Sequence, residues 1–358
     1  MTTAGEALDG TVMTVAGPIR AGELGPTMMH EHVFMDASGR WNEGDSDVPD
    51  AGSRRFEASF NARARWASHV LRDNLALDPV QDYDVMQTEV KAFADQAGPG
   101  GCLVDLTSGG IHPDPARLRS LAEATGVQIV TGAGFYVCST HPEWVETATI
   151  DELAGFIRHE VEVGRCGTDV RAGIIGEIGT SETLQPCEER VLVAAAQVAS
   201  TSGLTLNIHC HPGERQVTHG IIDIVEQAGA DLSRCYLSHL DEIADEDYVR
   251  SVLDRGCVVG FDSFGQEGYF GPGWAARTDL DKARTLSRLA AEGYADQLVV
   301  AQDVCKKQHL ETFGGLGYGH VLQRVVPRMQ QLGLLDDDLR QRILVDTPRR
   351  LLTRAGSR

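Results

Sequence analysis

Histidines and carboxylates recur inside the short apolar runs of this chain: His30 and His32 in TMMHEHVF, Glu177 in AGIIGEIG, His209 and His211 in LTLNIHCH. His239 follows in RCYLSHLD, Asp262 in GCVVGFDSF and Asp303 in LVVAQDV. A single strand histidine is usually a hydrogen-bonded core residue. Burying so many imidazoles and carboxylates without partners costs roughly several kcal/mol each, whereas divalent ions satisfy them together. Imidazole nitrogens and carboxylate oxygens suit zinc or manganese, and the set suffices for two metal ions with open coordination positions. Water on such ions is acidified, so hydrolysis needs no activated serine; the chain has no GxSxG elbow.

The runs that carry these residues read as eight strands, at 27–34, 101–107, 127–136, 172–179, 204–211, 234–241, 256–264 and 298–304. Stretches such as EERVLVAAAQVASTSG separate them, with apolar residues at helical spacing and a glycine at the end. Eight alternating βα units with nearly continuous apolar strands predict a closed (β/α)8 TIM barrel, an α/β fold. An open doubly wound sheet is the structural rival, and no GxGxxG opens a helix after the first strand. In a barrel the C-terminal strand ends face the active site, and alternation puts His30 and His32 on one face. Residues 11–27 predict an N-terminal β-hairpin under the barrel, and 36–77 an elaborated first βα loop. One domain over 1–358 is expected, with no repeat beyond the βα unit and no linker.

A formal net charge of −20 over 358 residues argues against nucleic acid or an anionic membrane surface as partner. No apolar run is long enough to span a bilayer and no leader pattern opens the chain, so the expectation is a cytoplasmic protein acting on a small molecule. The eight cysteines stand singly, without the pairs or clusters of a zinc knuckle, and read as buried free thiols. There are four lysines: Lys91, Lys282, Lys306 and Lys307.

Six separated motifs, HEH at 30–32, GAGFY at 132–136, GEIGTSE at 176–182, IHC at 208–210, SHLD at 238–241 and QDVCKKQHLETFGGLGYGH at 302–320, carry a specific likeness. Together they resemble the phosphotriesterase family of the amidohydrolase superfamily, from about Thr11 to Pro348. The resemblance implies a binuclear centre with zinc as the first choice and manganese, cobalt, iron or nickel as alternatives. It makes His30, His32 and Asp303 ligands of the more buried ion and His209 and His239 ligands of the more exposed one, with Glu177 as bridge. Many family members place a carboxylated lysine at that bridge; here it is glutamate, as in the phosphotriesterase-related and homology-protein branches. None of the four lysines lies on the fourth strand.

The expected reaction is attack by a metal-bridging hydroxide on a carboxyl-type bond, a lactone, an ester or an N-acyl amide, with Asp303 moving the proton. Phosphotriester hydrolysis is the alternative, and a non-catalytic small-molecule-binding barrel the third reading. Tyr136, His211, Asp262 and Lys307 are expected to face the substrate, Tyr136 and Lys307 by match to the family pattern. Either Lys306 or Lys307 could attract an anion, Trp41 and Trp66 could wall the pocket, and 265–274 reads as a lid. The interval from Glu177 to His209 matches the family's interval from bridge to ligand, so the resemblance implies His209 as the fifth-strand ligand; reading HPG at 211–213 as the aligned motif exchanges its role with His211. A homodimer is the family-level expectation.

Overall fold

The computed structural model describes residues 10–211, 215–271 and 274–356. The eight barrel strands are β1 Thr27–Glu31, β2 Cys102–Asp105, β3 Gln128–Ala133, β4 Ile174–Ile178, β5 Leu206–His209, β6 Cys235–Ser238, β7 Val258–Phe261 and β8 Leu298–Val300. All neighbouring pairs from β1 to β8 are parallel. Their crossovers contain α1 Tyr83–Ala97, α2 Pro115–Thr125, α3 Ile150–Glu162, α4 Pro186–Ser202, α5 Arg215–Gln227, α6 Glu246–Leu253 and α7 Asp279–Leu289. The fold is a (β/α)8 barrel, and each strand falls inside its predicted run.

Local signals set the crossovers. Thr149 and Glu152 form a capping box at the start of α3, and Pro186 enters α4, which ends on Gly203 in the left-handed conformation. Strand residues such as Leu103, Ile129, Ile175 and Leu237 pack outward against helix residues including Phe93, Leu121, Ile157 and Val191. Met29, Val104, Val130, Ile174, Tyr236, Val258 and Val299 fill the barrel, with Val12 and Leu351 in the same cluster. Val12 belongs to the predicted hairpin, found as Thr11–Thr14 paired with Gly17–Arg20.

Simple alternation fails at two strands, and both carry candidate ligands. Register shifts occur between Met28 and Glu31 in β1 and between Ile175 and Ile178 in β4. Such bulges re-aim side chains, here allowing Met29 into the interior cluster while His30, His32 and Glu177 still reach the mouth. Close packing beside β4 also dictates Gly132, where a Cβ would stand 1.8 Å from the Gly176 carbonyl oxygen.

The seam between β8 and β1 closes just beyond the ends of the strands. His32 N–H donates to Val304 O and Asp303 N–H to His30 O. The buried Glu31 carboxylate accepts from the backbone N–H groups of Gln302 and Val304, at 2.8 and 2.9 Å. The first βα loop is elaborated as expected: Met35–Asp36 pairs antiparallel with Ala76–Leu77, and Val48, Phe56, Phe60, Val70 and Leu71 form a small core of their own. Its helical content is limited to Asn61–Ala64 and short 3-10 turns.

Candidate metal centre

The strand ends bring His30, His32, Glu177, His209, His239 and Asp303 together. His30 Nε2 lies 3.5 Å from Glu177 Oε1 and 3.7 Å from Asp303 Oδ1. His32 Nε2 lies 3.4 Å from Asp303 Oδ1 and 3.8 Å from Glu177 Oε2. On the other side, His239 Nε2 is 3.3 Å and His209 Nδ1 2.9 Å from Glu177 Oε1. The donors fall into two groups, His30, His32 and Asp303, and Glu177, His209 and His239, each within 4.8 Å.

The opposite ring edges are held from behind. His32 Nδ1 meets Thr107 Oγ1 at 3.0 Å, and His30 Nδ1 meets Ser238 Oγ at 3.0 Å and Asp262 Oδ2 at 3.3 Å. Asp262 Oδ1 accepts from His239 N–H at 2.9 Å and from His239 Nδ1 at 3.1 Å. A carboxylate only accepts, so His239 Nδ1 carries a proton towards Asp262, and this bond aims Nε2 inward. His30 Nε2 is buried without a hydrogen-bond partner. Imidazole nitrogens, one of them orphaned, converging on two carboxylates are a donor set that fits divalent cations.

The electrostatics agree. Burial alone would raise the carboxyl of Glu177, but His30 and His209 hold it well below the usual range. Burial opposes ionisation of Asp303 too, and His32, His30 and His239 overcome it, keeping it anionic. The two donor groups also contain backbone strain: His239 has φ 64° and Asp303 φ 49°, both left-handed. Non-glycine residues there cost about 1–3 kcal/mol each and persist where the surroundings over-determine them.

A cavity of about 470 Å³ opens above the cluster, a size suited to a small-molecule ligand. Tyr136 and His211 line it, with the Tyr136 ring edge-on to His209 at 5.1 Å between centroids. His209 stands in the donor group; Pro212 and Gly213 of the HPG alternative lie outside the described residues. Two expectations need correction. Asp262 does not face the cavity: it is fully buried behind His30 and His239, and its Oδ2 accepts from Tyr236 Oη at 2.6 Å. Lys307 is fully buried too, its ammonium paired with Asp82 at the start of α1. Its neighbour Lys306 is the lysine that lines the cavity.

Trp41 and Trp66 are absent from the cavity wall; Trp41 donates to His69 O, and Trp66 is 71% exposed. The first loop instead supplies Arg40, which sequence reasoning missed. Its only early sign was an arginine among several in a polar loop. In the 265–274 stretch, Tyr269–Gly271 pairs with Trp274–Ala275, and Pro272 and Gly273 lie outside the described residues. Gln266 from this stretch was also missed. Its Nε2 donates to Asp303 Oδ2 at 3.0 Å and to Asp303 O at 2.6 Å.

The model of the phosphotriesterase family matches residues 10–352. The chain belongs to the phosphotriesterase family. An N-acetyltaurine hydrolase of Xenopus tropicalis is 36% identical over 97% of this chain and 99% of its own. Among solved structures, a resiniferatoxin-binding protein from Rhodobacter sphaeroides superimposes with TM-score 0.89 at 35% identity, covering 96% of this chain and 95% of its own. A lactonase from Listeria monocytogenes gives 0.77 at 25% identity, covering 96% and 99%. This chain is accordingly a hydrolase. The family generally binds divalent metals, and the two donor groups are where this member could hold them. Among the described residues no helix is long and apolar enough to cross a membrane.

Proposed function

We propose that this hydrolase holds two divalent ions, zinc foremost, bridged by Glu177, and cleaves the amide of an N-acylated amine whose amine portion carries an anion. An N-acyl aminosulfonate such as N-acetyltaurine is the type substrate. The carrying observation is Glu177 at the junction of the two donor groups, where its carboxylate reaches His30, His32, His209 and His239 at once. The anionic preference is supported by Arg40, a cavity residue with no carboxylate partner among the described residues, joined by Lys306. In a chain of net charge −20, an arginine and a lysine on the cavity wall offer a sulfonate or carboxylate two cationic partners. The relatives named for N-acetyltaurine support the same reading.

Divalent ions at this centre supply Lewis acidity and a more acidic water. The remaining work belongs to side chains. Arg40 and Lys306 hold the anionic end, directing the acyl carbon towards the histidines. As water oxygen bonds to that carbon, the Asp303 carboxylate takes the water's proton, and it returns the proton to the amine nitrogen as the C–N bond breaks. Gln266 orients Asp303 through its hydrogen bond to Oδ2.

The test is a panel on zinc- and manganese-loaded protein: N-acetyltaurine, the neutral N-acetylethanolamine, a lactone and an aryl dialkyl phosphate. The anionic amide is expected to be the best substrate. Arg40→Ala should lower its kcat/KM by about 10- to 150-fold, the worth of a hydrogen bond to a charged group, while sparing the neutral amide. Fastest turnover of the aryl dialkyl phosphate, or equal losses for both amides in Arg40→Ala, would overturn the assignment. The lactone arm reflects Tyr136 beside His209 and the Listeria likeness, and fastest lactone turnover would replace the amide reading.

A further inference from the structure

Cys138 and Cys187, 49 positions apart, meet where the loop after β3 crosses the start of α4. With His141, in the local pattern Cys-Ser-Thr-His, they bring two sulfurs and a ring nitrogen within 4.8 Å of one another. Cys187 is buried, and Cys138 and His141 are half-buried. None of the three lines the catalytic cavity.

The tautomer of His141 can be read from its contacts. Nε2 lies 2.6 Å from the Tyr136 carbonyl oxygen, which only accepts, so Nε2 carries the proton. The lone pair is then on Nδ1, which is buried and has no hydrogen-bond partner. An orphaned buried acceptor costs about 1–3 kcal/mol, and a coordinated cation would remove that cost. A ligating imidazole commonly donates its other N–H to a backbone carbonyl, the arrangement found here. The surroundings favour positive charge: the buried Glu188 carboxylate accepts from Cys138 N–H at 2.8 Å and from Ser181 Oγ at 2.7 Å. Burial, Cys187 and Glu188 together push the Cys138 thiol up to about 12, so without a metal it is protonated.

We propose that Cys138, His141 and Cys187 form a separate site for one thiophilic cation of the zinc, cadmium or copper(I) class. Binding of a divalent ion replaces two S–H bonds by two metal–sulfur bonds and releases both protons to solvent. His141 supplies the third ligand. Its N–H grips the Tyr136 carbonyl, and the Tyr136 ring abuts His209, so an ion here would fix the substrate-facing tyrosine from outside the cavity.

The probe is Cd2+ titrated into reduced full-length protein whose catalytic centre has first been filled with zinc, followed by the ultraviolet thiolate-to-cadmium charge-transfer band. Wild type should saturate at one equivalent, and Cys187→Ser should lose the band while retaining hydrolytic activity. A cadmium-113 spectrum of wild type, showing a sulfur-rich site, decides the point even if the variant fails to fold. No band, or a band lost in Cys305→Ser but kept in Cys187→Ser, would overturn the proposal by placing the ion elsewhere or nowhere. Two thiols missing from the reagent count of protein purified and denatured without reductant would overturn it in favour of a Cys138–Cys187 disulfide.

Discussion

Replacing Asp262 by asparagine keeps its volume and removes its charge from the place where two histidines are aimed. The carboxylate serves four groups: Tyr236 Oη at 2.6 Å, His239 N–H at 2.9 Å, His239 Nδ1 at 3.1 Å and His30 Nδ1 at 3.3 Å. In Asp262→Asn the amide oxygen can keep the two His239 bonds. The NH2 group must then face Tyr236 and His30. Facing His30 Nδ1, it favours the tautomer with the proton on Nε2, which withdraws one inward lone pair from the centre. Loss of such an outer partner typically lowers metal affinity 10- to 100-fold, about 1.4–2.7 kcal/mol. Chelator competition on zinc-loaded protein, with circular dichroism to confirm folding, measures this directly. Tyr236→Phe, which leaves the charge in place, should cost less. Undiminished zinc affinity in folded Asp262→Asn, together with a raised KM, would refute the reasoning and return Asp262 to a substrate-facing role.

Lys307→Met leaves Asp82 buried with only the bonds from Arg55 and from Asp78 N–H, each 2.9 Å, so it should destabilise the fold by about 3 kcal/mol with little change in KM. Denaturant melts and steady-state kinetics check the two halves, and a raised KM at unchanged stability would contradict the buried placement. Gly132→Ala should cost more than about 3 kcal/mol or prevent folding, because its Cβ meets a carbonyl oxygen at 1.8 Å; a wild-type melting temperature would refute it. Glu246, the first residue of α6, is pulled down to about 2 chiefly by its hydrogen bond from Arg288 on α7. A depressed carboxyl stabilises the fold above its ordinary value and loses that contribution as pH falls towards about 2. Glu246→Gln should therefore be less stable than wild type by about 1 kcal/mol at neutral pH, the gap closing between about pH 4.5 and 2. A gap that widens in acid would show the sign to be wrong.

The barrel was legible because each strand is a short apolar run and each crossover a periodic one, and both patterns arise from burial on particular faces. The six candidate ligands were legible for a related reason: charge at the end of an apolar strand is costly unless something answers it. Asp262 shares that pattern, but its depth behind His239 depends on how β6 and β7 pack, which periodicity does not encode. Lys306 and Lys307 are adjacent in sequence and opposite in placement. Only the arrival of Asp82, from a distant segment, explains why Lys307 turns inward. Arg40 and Gln266 belong to long loops without a period, and the two bulges that aim His30 and Glu177 leave no mark in a hydrophobicity pattern. The cysteines that stand singly in sequence become a pair through the crossing of one loop and one helix.

The scarcity of lysine has a practical use. Lys282 and Lys307 are fully buried in ion pairs, which leaves Lys91, half-exposed on α1, and Lys306, on the cavity wall. An amine-reactive reagent thus has very few internal targets in this chain, and one of them stands on the cavity wall. Peptide mapping after brief acylation, with Lys91 as the built-in reference and the α-amino group counted separately, turns the Lys306 signal into an occupancy gauge. Ligands could then be ranked by the protection they give that one amine, before any turnover assay exists.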